Sequence, residues 1–233
     1  DSIIILMINH GFTMNIQTDE INKSILKSNT SLVGIVCKDA VILGADRRST
    51  AGTIVMNKNA KKIHKINDYL VASYTGGVAD IQLTNKILAA ELRLQELKTK
   101  SRATVKEAAN LLALLVYRNI RIPSMIPSIV GTLVAGVNED GTSELYTIEP
   151  AGGIEKVKDF DSNFSSGMPY ILGLLEREWK KDMTTEEGIE LAMEALKSST
   201  QRDIGSGNGI DIFTITKDGI KHAVSQEIAP TYK

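Results

Sequence analysis

The sequence predicts an α+β fold in which stacked sheets are covered by helices, and three observations lead there. Strand-like and helix-like segments come in groups: strands, two helices, strands, two helices, strands. A parallel Rossmann sheet would instead alternate single strands with single helices. The chain has 233 residues, 42% hydrophobic and 24% charged, which is ordinary for a globular protein and enough for one large domain or two small ones. No repeat of 20–50 residues and no low-complexity tract breaks the pattern.

Residues 1–29 mix short apolar runs with Asn, Ser and Thr and hold no period, and the texture changes at Thr30. Segments 31–37 and 40–45 are apolar and β-branched, with Lys38-Asp39 between them as a hairpin turn. Segments 63–66 and 69–74 read as further strands. A helix is predicted over 79–97, with Leu83, Ile87, Ala90 and Leu94 on its inner face. The next, 104–121, is so rich in Ala and Leu that burial on more than one side is expected, and Pro123 and Pro127 end it. Strands resume at 129–137 and 144–148 around the turn Asn138-Glu139-Asp140-Gly141, and residues 150–153 break the chain again.

The second helical pair spans 169–179 and 185–199. Thr184 and Glu187 have the spacing of a capping box, and Ile189, Ala192, Met193 and Leu196 form the inward face. Trp179 reads as the buried end of the first of these helices. A final hairpin, 210–216 with 220–224, turns at Lys217-Asp218-Gly219.

Composition excludes several functions. Lys plus Arg number 27 against 28 acids, so the net charge of −1 offers no basic footprint for nucleic acid and no attraction to a membrane surface. Cys37 is the single cysteine, which excludes an intrachain disulfide and a cysteine-rich metal site. His10, His64 and His222 have no metal-ligand spacing. The apolar run 3–8 is far shorter than the roughly 20 residues of a membrane span and lacks a basic leader. A cytoplasmic protein is expected.

Single motifs say little by themselves. Residues 205–209 contain three glycines but precede a strand, so a demanding turn is favoured over a phosphate cradle. Asp46-Arg47-Arg48 reads as a local ion-pair cluster, Lys61-Lys62 as exposed lysines, and Cys37 and His64 as packed residues of strands. No G-x-S-x-G elbow occurs.

In combination they say more. The run 30–50, TSLVGIVCKDAVILGADRRST, resembles the start of a mature 20S proteasome β subunit of archaeal type. The resemblance covers nearly all of 30–233, through Asn59-Ala60-Lys61-Lys62-Ile63, Thr75-Gly76-Gly77-Val78-Ala79-Asp80, Ser165-Ser166-Gly167-Met168-Pro169-Tyr170 and the segment 201–207, QRDIGSG. It implies a four-layer αββα sandwich, the N-terminal-nucleophile hydrolase fold, with 1–29 as propeptide and 30–233 as catalytic domain. By the same resemblance Thr30 is the nucleophile, freed by autocleavage. Lys62 is the essential lysine, Asp46 its acid, and Gly76 the oxyanion-hole glycine. Ser166, Asp203 and Ser206 support the threonine amine, and Thr50 binds the substrate strand. Ser49, Ala60, His64, Tyr74, Val78 and Gln82 line the specificity pocket, where the bulk of Tyr74 implies a shallow site for modest side chains.

The chemistry accounts for these residue types. A threonine hydroxyl needs a base, and a free α-amine with a pKa of ~7.7–8.0 suits that role near neutral pH. Before cleavage that nitrogen is an amide, so a precursor is expected to be inactive. No metal or organic cofactor is implied. The implied partners are further β subunits in a seven-membered ring, α-subunit rings, a regulatory ATPase acting through the α ring, and unfolded polypeptide as substrate. A non-catalytic ring subunit that keeps its propeptide is the alternative, and the bacterial two-ring peptidase, with six-membered rings, is an enzymatic one. Asn29 stands where the family usually has glycine, which is expected to slow self-cleavage without forbidding it, because Asn is the residue after Gly that best tolerates a left-handed backbone.

Overall fold

The computed structural model describes residues 29–228, so the expected propeptide lies, apart from Asn29, outside the described residues. Two five-stranded antiparallel sheets form the centre. The first joins β1 (Leu32–Val36), β2 (Ala40–Asp46), β10 (Phe160–Asp161), β11 (Gly209–Thr216) and β12 (Gly219–Glu227) in the order β10-β1-β2-β11-β12. The second runs β5-β6-β7-β8-β9, from β5 (Ile63–Lys65), β6 (Leu70–Gly76), β7 (Val130–Val137), β8 (Ser143–Ile148) and β9 (Ile154–Val157). A separate ribbon pairs β3 (Ser49–Ala51) with β4 (Ile54–Asn57).

Helices α1 (Val78–Thr99) and α2 (Val105–Arg121) cover the second sheet, and α3 (Met168–Glu178) and α4 (Thr185–Thr200) cover the first. The result is four layers, αββα. Alternation along the strands builds both interfaces. Leu32, Val41, Leu43 and Ala45 of the first sheet meet Leu133, Ala135 and Leu145 of the second, while Val33, Ile35, Cys37 and Ile42 turn outward onto Leu191, Ala192, Ala195 and Leu196 of α4. With both faces covered, β2 and β7 are buried at every position. Their sequences are apolar apart from Asp46, which ends β2, and Thr132 within β7.

The expected capping box of Thr184 with Glu187 opens α4, and a second, Thr104 with Glu107, opens α2. Two helix faces differ from expectation. On α1 the buried positions are Ile81, Thr84, Leu88 and Leu92, whereas Leu83 and Leu94 are exposed. Apolar residues occupy both sides of this helix, and the buried side includes a threonine that hydrophobic periodicity does not count. On α2 burial is one-sided, through Val105, Ala108, Ala109, Leu112, Ala113 and Val116, and Leu114 and Tyr117 face solvent. Small alanines let this helix lie close to the sheet. Trp179 is only half-buried; it caps α3, packs edge-on against Phe160 and donates Nε1–H to the Val36 carbonyl at 3.3 Å.

Candidate active site

The two sheets end together at one edge of the sandwich. There the chain enters β1 at Thr30, leaves β2 at Asp46, enters β5 after Lys62 and leaves β6 at Gly76. The N-terminus of α3 adds Ser166, and the α4–β11 connection adds Asp203 and Ser206. Residues as far apart in sequence as Thr30 and Ser206 thus converge only through sheet pairing and layer packing.

Asp46 is fully buried and is the hub. Its Oδ1 accepts from Lys62 Nζ at 2.6 Å and from the Ser31 amide at 2.9 Å, and its Oδ2 accepts from the Arg48 and Gly207 amides, each at 2.9 Å. Lys62 is not a surface lysine: its side chain is 7% exposed. Burial pushes its pKa below the ordinary lysine value, and Asp46 acts against that shift. Lys62 Nζ also lies 3.4 Å from the Asn29 carbonyl oxygen, and the Thr30 hydroxyl donates to that same oxygen at 2.8 Å. One carbonyl, on the bond preceding Thr30, therefore receives both the lysine and the threonine hydroxyl.

The Thr30 amide donates to Ser166 Oγ at 2.9 Å, and Ser166 Oγ donates in turn to Asp203 Oδ2 at 2.6 Å. Ser206 donates a short hydrogen bond to the same carboxylate oxygen and shares a 2.7 Å bond with Ser31 Oγ. The Thr30 nitrogen is thus tied by one hydroxyl to a carboxylate. Gly76 closes β6 with φ 130°, a conformation that strains any side chain, and a Cβ there would overlap the Ile129 carbonyl oxygen. The turn expected at 205–209 is formed by Gly207 (φ 147°) and Asn208 (φ 64°), which bring the Gly207 amide onto Asp46.

Beside Thr30 lies a cavity of about 240 Å³, lined by Ser49, Ala60, Lys62, His64, Tyr74, Val78 and Gln82, with Asn57, Lys61 and Ile81 in addition. That volume is below the roughly 300–1,000 Å³ of small-molecule sites and suits a single side chain. The fully buried Tyr74 donates its hydroxyl to Asn85 Oδ1 at 3.0 Å, and its ring meets His64 edge-on. Burial raises the Tyr74 phenol pKa and lowers that of His64 from the ordinary imidazole value, which favours the neutral ring. Thr50 does not reach the cavity. It is buried in β3, and its hydroxyl has no hydrogen-bond partner among the described residues.

Asn57, Lys61 and Ile81 were missed. Ile81 lies on the face of α1 that the structure buries, whereas Asn57 enters through the β3–β4 ribbon, whose strand β4 is exposed throughout and carries no burial pattern in the sequence. Among the described residues no group of three or more His, Cys, Asp or Glu could hold a metal ion, and no helix is long and apolar enough to cross a membrane.

Comparison with known proteins gives one consistent result. A family model described as "Proteasome subunit" matches residues 26–215. The chain is 41% identical over 192 residues to a proteasome subunit beta of Nanoarchaeum equitans, covering 82% of this chain and 95% of the relative. It is 37% identical over 199 residues to that of Methanocaldococcus vulcanius (85% and 87%), and 35% identical over 213 residues to that of Methanococcus maripaludis strain C5 (91% and 94%).

Proposed function

The chain belongs to the proteasome subunit family and is a core subunit of β type, and from that premise we propose that it is a threonine endopeptidase whose nucleophile is Thr30. The observation that carries the reading is the Asn29 carbonyl, on which the Thr30 hydroxyl and the buried Lys62 ammonium converge. In the precursor, Thr30 Oγ1 attacks the Asn29 carbonyl carbon and the peptide bond is exchanged for an ester, which water then cleaves. Residues 1–29 leave as propeptide and Thr30 acquires a free amine.

The mature enzyme repeats the acyl transfer on substrate. The Thr30 amine, held by Ser166 and through it by Asp203 and Ser206, takes the hydroxyl proton, and Lys62 stabilises the developing alkoxide. Asp46 holds Lys62 in place and offsets its burial. The Gly76 amide receives the oxyanion, where one donor is typically worth about 3–4 kcal/mol. The P1 side chain enters the cavity walled by Tyr74 and His64, and Thr50 guides the substrate strand. The subunit works beside further β subunits, between α rings, on unfolded chains delivered by an ATPase.

Intact mass of the chain in assembled particles, together with peptide hydrolysis, tests this. Wild-type chains short by residues 1–29 with activity, against full-length and inactive Thr30→Ala chains, is the expected result. A full-length wild-type chain in every assembly favours the non-catalytic subunit, and a Thr30→Ala particle that still cleaves peptides refutes the role of Thr30.

A further inference from the structure

Gly205 lies between Asp203 and Ser206, and its amide donates to Asp203 Oδ1 at 3.2 Å. Unlike Gly207 it takes no positive φ, so its backbone would accept any residue. The space around it would not. A Cβ at 205 would overlap the Asn29 Cβ and fall 2.5 Å from its Cγ and 2.6 Å from its Nδ2. Both Cβ atoms sit one bond from main chain, so neither can swing aside as a long side chain would.

The main chain at Asn29-Thr30 is pinned. The Thr30 amide is bound to Ser166, the Thr30 carbonyl accepts from the Gly167 amide, and the Asn29 carbonyl accepts from Thr30 Oγ1 and Lys62. Any retreat of Asn29 moves its carbonyl away from the lysine and the hydroxyl.

We propose that Gly205 is a positioning residue for removal of the segment ending at Asn29, leaving the space in which the Asn29 side chain lies while its carbonyl stays seated. The proposal rests on the self-cleavage reading above. It explains why a residue with a side chain can stand before Thr30: the room comes from across the site.

Full-length chains carrying Gly205→Ala, Asn29→Gly or both are assembled, and the appearance of the shortened chain is followed by mass. Gly205→Ala should slow processing by roughly tenfold or more, as overpacking of a fixed site does. The double variant should return to within about twofold of Asn29→Gly alone, a rescue that a merely structural role of Gly205 would not give. Wild-type rates for Gly205→Ala, or a double variant as slow as Gly205→Ala, would overturn the proposal. A second cycle in the Thr30→Ala background reads thermal midpoints without any cleavage. There Gly205→Ala should lower the midpoint and Asn29→Gly restore it, and additive effects would overturn the proposal even if wild-type chains never shorten. Coupling in this cycle with no shortening of wild type would instead count against self-cleavage alone.

Discussion

Taking a lysine ammonium out of water costs several kcal/mol unless a counter-ion and hydrogen bonds replace what is lost. Lys62 has one carboxylate within hydrogen-bond reach, and three backbone amides hold that carboxylate in place. Lys62→Met leaves Asp46 buried without its cation. Denaturant titration should show a loss of about 3 kcal/mol, and peptide hydrolysis should fall at least ~100-fold. Lys62→Arg should recover stability more than activity, because a guanidinium keeps the charge but not its position. His64 gives a pH signature. Its folded-state pKa is held below the ordinary 6.5 by burial, so the unfolded chain binds the proton more tightly. Stability from this group is complete above pH 6.5 and falls on acidification until the folded-state pKa is passed. His64→Gln should therefore flatten the decline in thermal midpoint between pH 7 and pH 5. Tyr74 makes its own prediction: substrates with large aromatic P1 residues should be cut more slowly than those with modest side chains.

At the scale of elements, α4 seats against the first sheet because Gly188 has no side chain. A Cβ there would overlap Cys37 Sγ and lie 3.0 Å from Ile42 Cγ1. Gly188→Ala should cost about 1–3 kcal/mol by overpacking, and Cys37→Ala should recover part of it. Burial and the nearby Glu187 and Glu186 carboxylates push the Cys37 thiol up to about 12, so it stays protonated at neutral pH. A thiol-reactive dye should label Cys37 only as the protein unfolds. The exposed apolar side of α1 shows the limit of periodicity at this scale. Leu83 and Leu94 have the right spacing for a core face, and only the sheet beneath decides that Ile81, Leu88 and Leu92 are the ones covered.

For the whole molecule, the four layers bring strand ends, one helix N-terminus and one loop to a single edge, and the acyl-transfer chemistry proposed here needs all of them. The chain also exposes Ile54 and Met56 on the β3–β4 ribbon and Met125 and Ile126 after α2. Membership of the proteasome core accounts for such surface, since a core subunit is covered by its neighbours. Particles assembled with α subunits should show seven-fold symmetry in averaged electron micrographs. Six-fold rings would point to the bacterial two-ring peptidase architecture instead.

The sequence by itself determined the grouping of strands and helices, the Thr184–Glu187 cap and the core strands β1, β2, β7 and β11, because these depend on contacts a few residues apart or on the apolar pattern within one strand. Through the resemblance of several separated motifs it also pointed to the family, which the comparisons bear out. Local reading had Lys61 and Lys62 as two surface lysines and Asp46 as one member of an ion-pair cluster, and had no means to join them. The geometry of the Asp46–Lys62 pair, which the family resemblance alone had implied, the burial of Lys62 alone of the two lysines, the ribbon that carries Asn57, and the space at Gly205 for Asn29 were decided by the tertiary structure. The physical reason is range. Helix caps and alternation are satisfied within a turn or a strand, whereas a buried charge or an empty space is defined by what packs against it from elsewhere in the chain.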